Sequence, residues 1–124
     1  MTKILIIGGT AEAKNLHFRL QEKKLFTILS YAGLTESIDK EVKNIRVGGF
    51  GGATGMSAFV KDEGITHILD ASHPFSKNIT VNSLLAAQLA KIEYLGFERP
   101  KWQRQKGDKW KLVSDMNKAI KLID

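Results

Sequence analysis

There is no cysteine in this chain of 124 residues. That excludes a disulfide framework and a thiolate-held metal, and it suits a reducing cytoplasm, the compartment expected for the protein. No metal site is expected at all. No apolar run approaches the roughly 20 residues of a membrane span, and the first residues read as a strand and not as a signal peptide, so no membrane is expected among the partners. Internal repeats and low-complexity stretches are also missing. Acid is scarce relative to base: 13 Asp plus Glu stand against 19 Lys plus Arg, a net charge of +6. Such a balance points to an anionic partner, whether nucleic acid, a phosphorylated cofactor or a polycarboxylate. The length and a hydrophobic content of 43% suit one domain with a core of its own.

What is present is organised around Lys3-Ile4-Leu5-Ile6-Ile7-Gly8-Gly9-Thr10-Ala11-Glu12-Ala13. Four consecutive aliphatic residues closed by glycines predict a strand buried on both faces, central in a parallel sheet. Thr10 is a good N-cap, and Ala11 to Lys23 then puts Ala13, Leu16 and Leu20 on one helical face. Strand, glycine turn and helix start make an anion cradle, because the first helical N–H groups and the dipole both favour negative charge there. Aligned with G-x-G-x-x-G/A, Gly8 is the first glycine, Thr10 stands at the second and Ala13 at the third. A tight βα turn of any doubly wound domain has the same residues, so both readings stand at this point.

A second strand, Phe26 to Tyr31, ends without an acid. An NAD site places Asp or Glu there for the ribose 2′-hydroxyl, and that carboxylate would repel a 2′-phosphate. Ser30 and Tyr31, with Thr35 and Lys40 following, suit the phosphate instead. A bound dinucleotide is therefore expected to be NADPH.

Asn44 to Val47 is expected as a short third strand running into Gly48-Gly49-Phe50-Gly51-Gly52. Four glycines in five residues suggest positive φ angles or a surface lying against a ligand, with a flexible loop as the plain alternative. Ala53 to Glu63 reads as a helix with Met56, Phe59 and Val60 on one face, ended by Gly64 at C′. A fourth strand, Thr66 to Ala71, leads into Ser72-His73-Pro74-Phe75-Ser76. Carboxyl ends of parallel strands gather ligands, so three loops converge on one crevice. Of the three histidines only His73 sits at such an end; His17 reads as a packing residue and His67 as a strand start. Asp70 either orients His73 or caps the next helix.

That helix spans Asn78 to Lys91, with Val81, Leu84, Leu85, Gln88, Leu89 and Ile92 expected as its buried stripe. Glu93 to Glu98 is a fifth strand. From Arg99 to Lys111, six cations and two tryptophans accompany one acid, Asp108. Cations interleaved with aromatics suit single-stranded nucleic acid, and a solvated charged hairpin is the plain alternative. Asp115 to Asp124 is expected as a last helix with Met116, Ile120 and Ile123 inward.

Taken together, Gly8 to Ala13, Arg46-Val47-Gly48-Gly49-Phe50-Gly51-Gly52, Asp70-Ala71-Ser72-His73-Pro74-Phe75, Asn82 and Arg99-Pro100-Lys101-Trp102 resemble the precorrin-6A reductase family, cobalt-precorrin-6A members included, in order and spacing. The resemblance implies a Rossmann-like three-layer α/β domain with a mainly parallel sheet of about five strands. Residues 1–124 would form a single nucleotide-binding domain like the N-terminal one of a two-domain reductase. It implies NADPH-dependent reduction of a ring double bond in precorrin-6A, or its cobalt counterpart, during cobalamin biosynthesis. Gly8, Gly9, Thr10 and Glu12 would then form the first cofactor loop, Tyr31 and Thr35 would lie near the adenosine end, and Gly49 and Gly51 would border the nicotinamide side. Phe75, Arg99 and Trp102 would face the carboxylate-rich tetrapyrrole together with His73, the candidate proton donor beside a hydride from the cofactor. A second domain, on another chain or in a second copy, would complete the site.

Three alternatives stand beside this resemblance. Short-chain reductases need Tyr-x-x-x-Lys, and neither Tyr31 nor Tyr94 has a lysine at that spacing. A non-catalytic NADP-binding module is the first remaining alternative and a nucleic-acid-binding domain the second.

Overall fold

The computed structural model describes residues 2–8, 11–31, 44–72, 77–97, 110–113, 120, 121 and 123. Its elements run β1 (Lys3–Ile7), α1 (Ala11–Glu22), β2 (Phe26–Tyr31), β3 (Ile45–Val47), α2 (Gly52–Glu63), β4 (His67–Asp70), α3 (Lys77–Ala90), β5 (Glu93–Phe97) and β6 (Trp110–Val113). They form a six-stranded sheet of order β3-β2-β1-β4-β5-β6. All its pairings are parallel.

β1 is central because it can be covered on both sides. Ile4 and Ile6 pack with Ala13, Leu16 and Leu20 of α1, with Leu29, Leu69 and Leu95, and with Ile120 and Ile123. Leu5 and Ile7 point the other way, onto Met56 and Val60 of α2, Ala86 and Ala87 of α3, and Ile68 and Tyr94. Burying each such aliphatic side chain contributes about 1.5–3 kcal/mol. α1 lies on the first face and α2 and α3 on the second, so the chain changes sides at the β1–β4 step. His17 is wholly buried, its Nδ1 2.7 Å from the Thr27 hydroxyl, as a packing residue should be.

Gly64 ends α2 as expected: its φ is +69°, and the Ile65 N–H reaches back to the Val60 carbonyl at 2.9 Å. The sixth strand was not expected. A hairpin would pair its strands antiparallel, whereas β6 runs parallel to β5; Trp110 and Lys111 therefore belong to a sheet edge and not to a charged hairpin. A four-residue strand beginning within a run of cations is too short for its alternation to show.

The stripe expected on α3 is corrected. Val81, Leu85 and Leu89 are 52%, 45% and 55% exposed, and Gln88 is exposed too, while Thr80, Ser83, Ala86 and Ala87 are buried. Leu84 and Ile92 do pack against the core. α3 lies against α2, and small side chains let two helices approach closely; hydrophobicity marked a stripe on the other side. Ser83 satisfies its hydroxyl on the Ile79 carbonyl at 2.6 Å. Leu85→Lys is accordingly expected to change stability by no more than about 0.5 kcal/mol, and Ser83→Leu to destabilise by about 2 kcal/mol through overpacking. Urea unfolding of the two variants checks this, and a larger loss for Leu85→Lys would contradict the assignment of faces.

Candidate functional site

Because all pairings are parallel, the carboxyl ends of the strands share one edge, and the change of sides between β1 and β4 opens a crevice there. Gly8 begins it. Its N–H donates to the Ser30 carbonyl at 2.7 Å, and a Cβ would stand 2.9 Å from that oxygen and 3.0 Å from Leu29 Cδ1. The approach of β2 thus demands glycine at position 8. Glu12 is exposed in the first turn of α1, where the dipole favours its charge. Gly9 and Thr10 lie outside the described residues, as do Thr35, His73, Phe75, Arg99 and Trp102.

At the end of β2, Ser30 is 4% exposed, so of the two hydroxyl residues expected there Tyr31 is the one that reaches solvent in part. Its carbonyl accepts from the Gly48 N–H at 2.9 Å. Tyr31 and the glycine segment, expected near the adenosine end and the nicotinamide side of a dinucleotide respectively, are neighbours in the sheet. β3 lies outside β2, so both stand at one end of the crevice, with β1 between them and β4.

The glycine segment is held from beneath. Gly48, Gly51 and Gly52 have φ of +115°, +83° and +76°, conformations in which a side chain would be strained. Arg46 crosses under them: its guanidinium donates to the Gly48 carbonyl at 2.6 Å and to the Gly49 carbonyl at 3.0 Å. The same group lies 3.8 Å from the Phe50 ring centroid and 5.1 Å from that of Phe59, and those rings meet edge to face. Burial pushes the Arg46 pKa below its ordinary value. From α2, Gly55 abuts the Phe50 backbone so closely that a Cβ would overlap the Phe50 carbonyl oxygen.

On the other side of β1, Asp70 closes β4. It is wholly buried, and its carboxylate accepts from the Ser72 N–H at 3.0 Å, the Ser72 hydroxyl, the Thr80 hydroxyl at 2.8 Å and the Tyr94 hydroxyl at 2.7 Å. Asp70 thereby ties β4 to α3 and β5. Asn82 is half-buried on α3. His67 opens β4 as expected, with Nε2 3.2 Å from Glu93.

Sequence reasoning gave no role to Arg46, Gly55, Thr80 or Tyr94. A glycine inside a helical pattern was the available signal for Gly55, since glycine there lowers helix stability without a packing reason. For the other three, partners distant in sequence were needed.

Fold and crevice together define a doubly wound domain of the Rossmann type. The pattern of the family described as precorrin-6x reductase CbiJ/CobK matches residues 3–123, and the chain belongs to that family. It is 39% identical over 122 residues to the precorrin-6A reductase of Sinorhizobium sp, covering 98% of this chain and 47% of that one. With the precorrin-6A reductase of Rhodobacter capsulatus the identity is 36% over 120 residues, 97% of this chain and 48% of the other. A solved structure of CobK precorrin-6A reductase matches with a TM-score of 0.75 at 36% identity, over 98% of this chain and 48% of that one. The chain spans about half the length of the relatives it matches.

Proposed function

We propose that this chain is the NADPH-binding half of a reductase acting on precorrin-6A or its cobalt counterpart in cobalamin biosynthesis. The reading is carried by the glycine segment at the crevice edge, in a chain of this family: a Cβ built on Gly48, Gly49, Gly51 or Gly52 meets nothing within 4 Å among the described residues. A backbone surface free of side chains suits close approach of a dinucleotide. NADPH over NADH is supported by the end of β2, where Ser30 and Tyr31 stand in place of a carboxylate. When bound, the cofactor supplies a hydride; the chain's part is to bind and orient it. Gly8, Gly9, Thr10, Glu12, Tyr31, Thr35, Gly49 and Gly51 are proposed to hold the cofactor. His73 is proposed as proton donor, and Phe75, Arg99 and Trp102 are proposed to meet the macrocycle, whose carboxylates suit the basic balance of the chain.

One sheet edge forms one wall of a site, and hydride transfer needs the substrate enclosed. The purified chain is therefore expected to bind NADPH more tightly than NADH by calorimetry, yet to oxidise it negligibly in the presence of precorrin-6A. Adding the remaining domain of a full-length relative should restore turnover. Tyr31→Asp should weaken NADPH binding by about tenfold or more, a loss near 1.4 kcal/mol, while sparing NADH. Equal affinities in the parent chain would sink the cofactor preference. NADPH binding without any restored turnover would favour the second reading, a non-catalytic NADP-binding module.

A further inference from the structure

Arg46 spends its guanidinium on two successive carbonyls of an otherwise glycine-rich turn, which has a directional consequence for the amides. A trans peptide is planar, with its C=O and N–H antiparallel, and the chain has no cis peptide among the described residues. The Gly48 carbonyl shares its peptide with the Gly49 N–H, and the Gly49 carbonyl shares its peptide with the Phe50 N–H. Drawing both carbonyls toward Arg46 therefore turns both N–H groups away from it. Neither amide has a hydrogen-bond partner among the described residues. At Gly49, moreover, φ is not positive and a Cβ would meet nothing within 4 Å among the described residues, so neither backbone strain nor crowding by those residues asks for glycine there.

We propose that Arg46 is the positioning residue of the cofactor site: it fixes the Gly48–Gly51 backbone so that the Gly49 and Phe50 amides are presented together to the anionic part of the dinucleotide. This rests on the NADPH reading above. The aromatic pair makes the clamp rigid, since Phe50 and Phe59 hold the guanidinium in place while Gly55 lets Phe50 settle against α2. A planar fork with several donors bridges two carbonyls; a lysine ammonium on a flexible stem keeps the charge but not that geometry. Arg46 acts on the cofactor through the loop and not by its own charge.

The test is NADPH titration of the full 124-residue chain and of Arg46→Lys and Arg46→Met, with thermal unfolding of each and amide NMR of the parent. Saturating the parent with NADPH should shift the Gly49 and Phe50 amide resonances. Both variants should bind NADPH about tenfold more weakly, lysine giving no rescue, and Gly49→Ala should weaken binding while leaving the melting temperature unchanged or raised. Undiminished affinity in Arg46→Met, or full rescue by lysine, overturns the proposal. So do Gly49 and Phe50 amides that stay still at saturation while others move, and this measurement stands even if a variant fails to fold. If the parent chain binds neither NADPH nor NADH, the cofactor reading itself has failed and takes this one with it.

Discussion

Asp70→Ala is expected to lower the free energy of unfolding by about 4 kcal/mol, close to the whole stability of a marginal domain. The carboxylate is the common acceptor for Ser72, Thr80 and Tyr94, and all four residues are buried. Removing it deprives three buried hydroxyls and one N–H of an acceptor. Each such group costs about 1–3 kcal/mol when left without one, and rotation of the hydroxyls toward other acceptors recovers part. Asp70→Asn should cost less, about 1–2 kcal/mol, because the amide keeps one acceptor oxygen and hydroxyls can turn to accept from its NH2. Urea midpoints at unchanged slope measure both. An alanine variant within about 1 kcal/mol of the parent would show that the network is not what joins β4 to α3 and β5.

Gly55→Ala should destabilise by about 3 kcal/mol, against the usual direction of that substitution in a helix. Alanine gains about 1 kcal/mol in helix propensity. Here the added Cβ would overlap the Phe50 carbonyl oxygen and stand 2.8 Å from its carbonyl carbon. The obstacle is backbone, which does not swing aside as a side chain would. Relief requires the glycine segment to lift from α2, which would also pull Phe50 out from under Arg46. Loss of NADPH affinity is therefore expected along with the lower urea midpoint. A Gly55→Ala chain more stable than the parent would mean that the segment gives way freely, and the clamp account of Arg46 would lose its footing as well.

The legible parts of the site were those written in contiguous residues. Gly8 and the segment Gly48 to Gly52 announce themselves as turns, and the absence of an acid at Ser30 and Tyr31 needs only a strand end to be found. Tyr31 was placed on the correct strand, but its adjacency to Gly48 depends on β3 lying outside β2. Nothing local encodes which neighbour a three-residue strand will take. The Asp70 network joins residues 10 and 24 positions apart, and its members read singly as a strand end, a helix threonine and a strand tyrosine. Their meeting follows from β4 and β5 being neighbours, with α3 connecting them.

By itself the sequence determined that this is an α/β domain with a parallel core, since Ile4 to Ile7 suits only a strand covered on both faces. It also determined the glycine turns and the family to which the chain belongs. Tertiary structure decided which side of α3 is buried. Leu85 and Leu89 are the more hydrophobic, yet Ser83, Ala86 and Ala87 are the ones covered, because close approach to α2 selects for size before hydrophobicity. It also decided the task of Arg46. A cation on a short strand is ordinarily solvated; only the placing of two carbonyls above it and two aromatic rings against it converts its charge into the geometry of a loop.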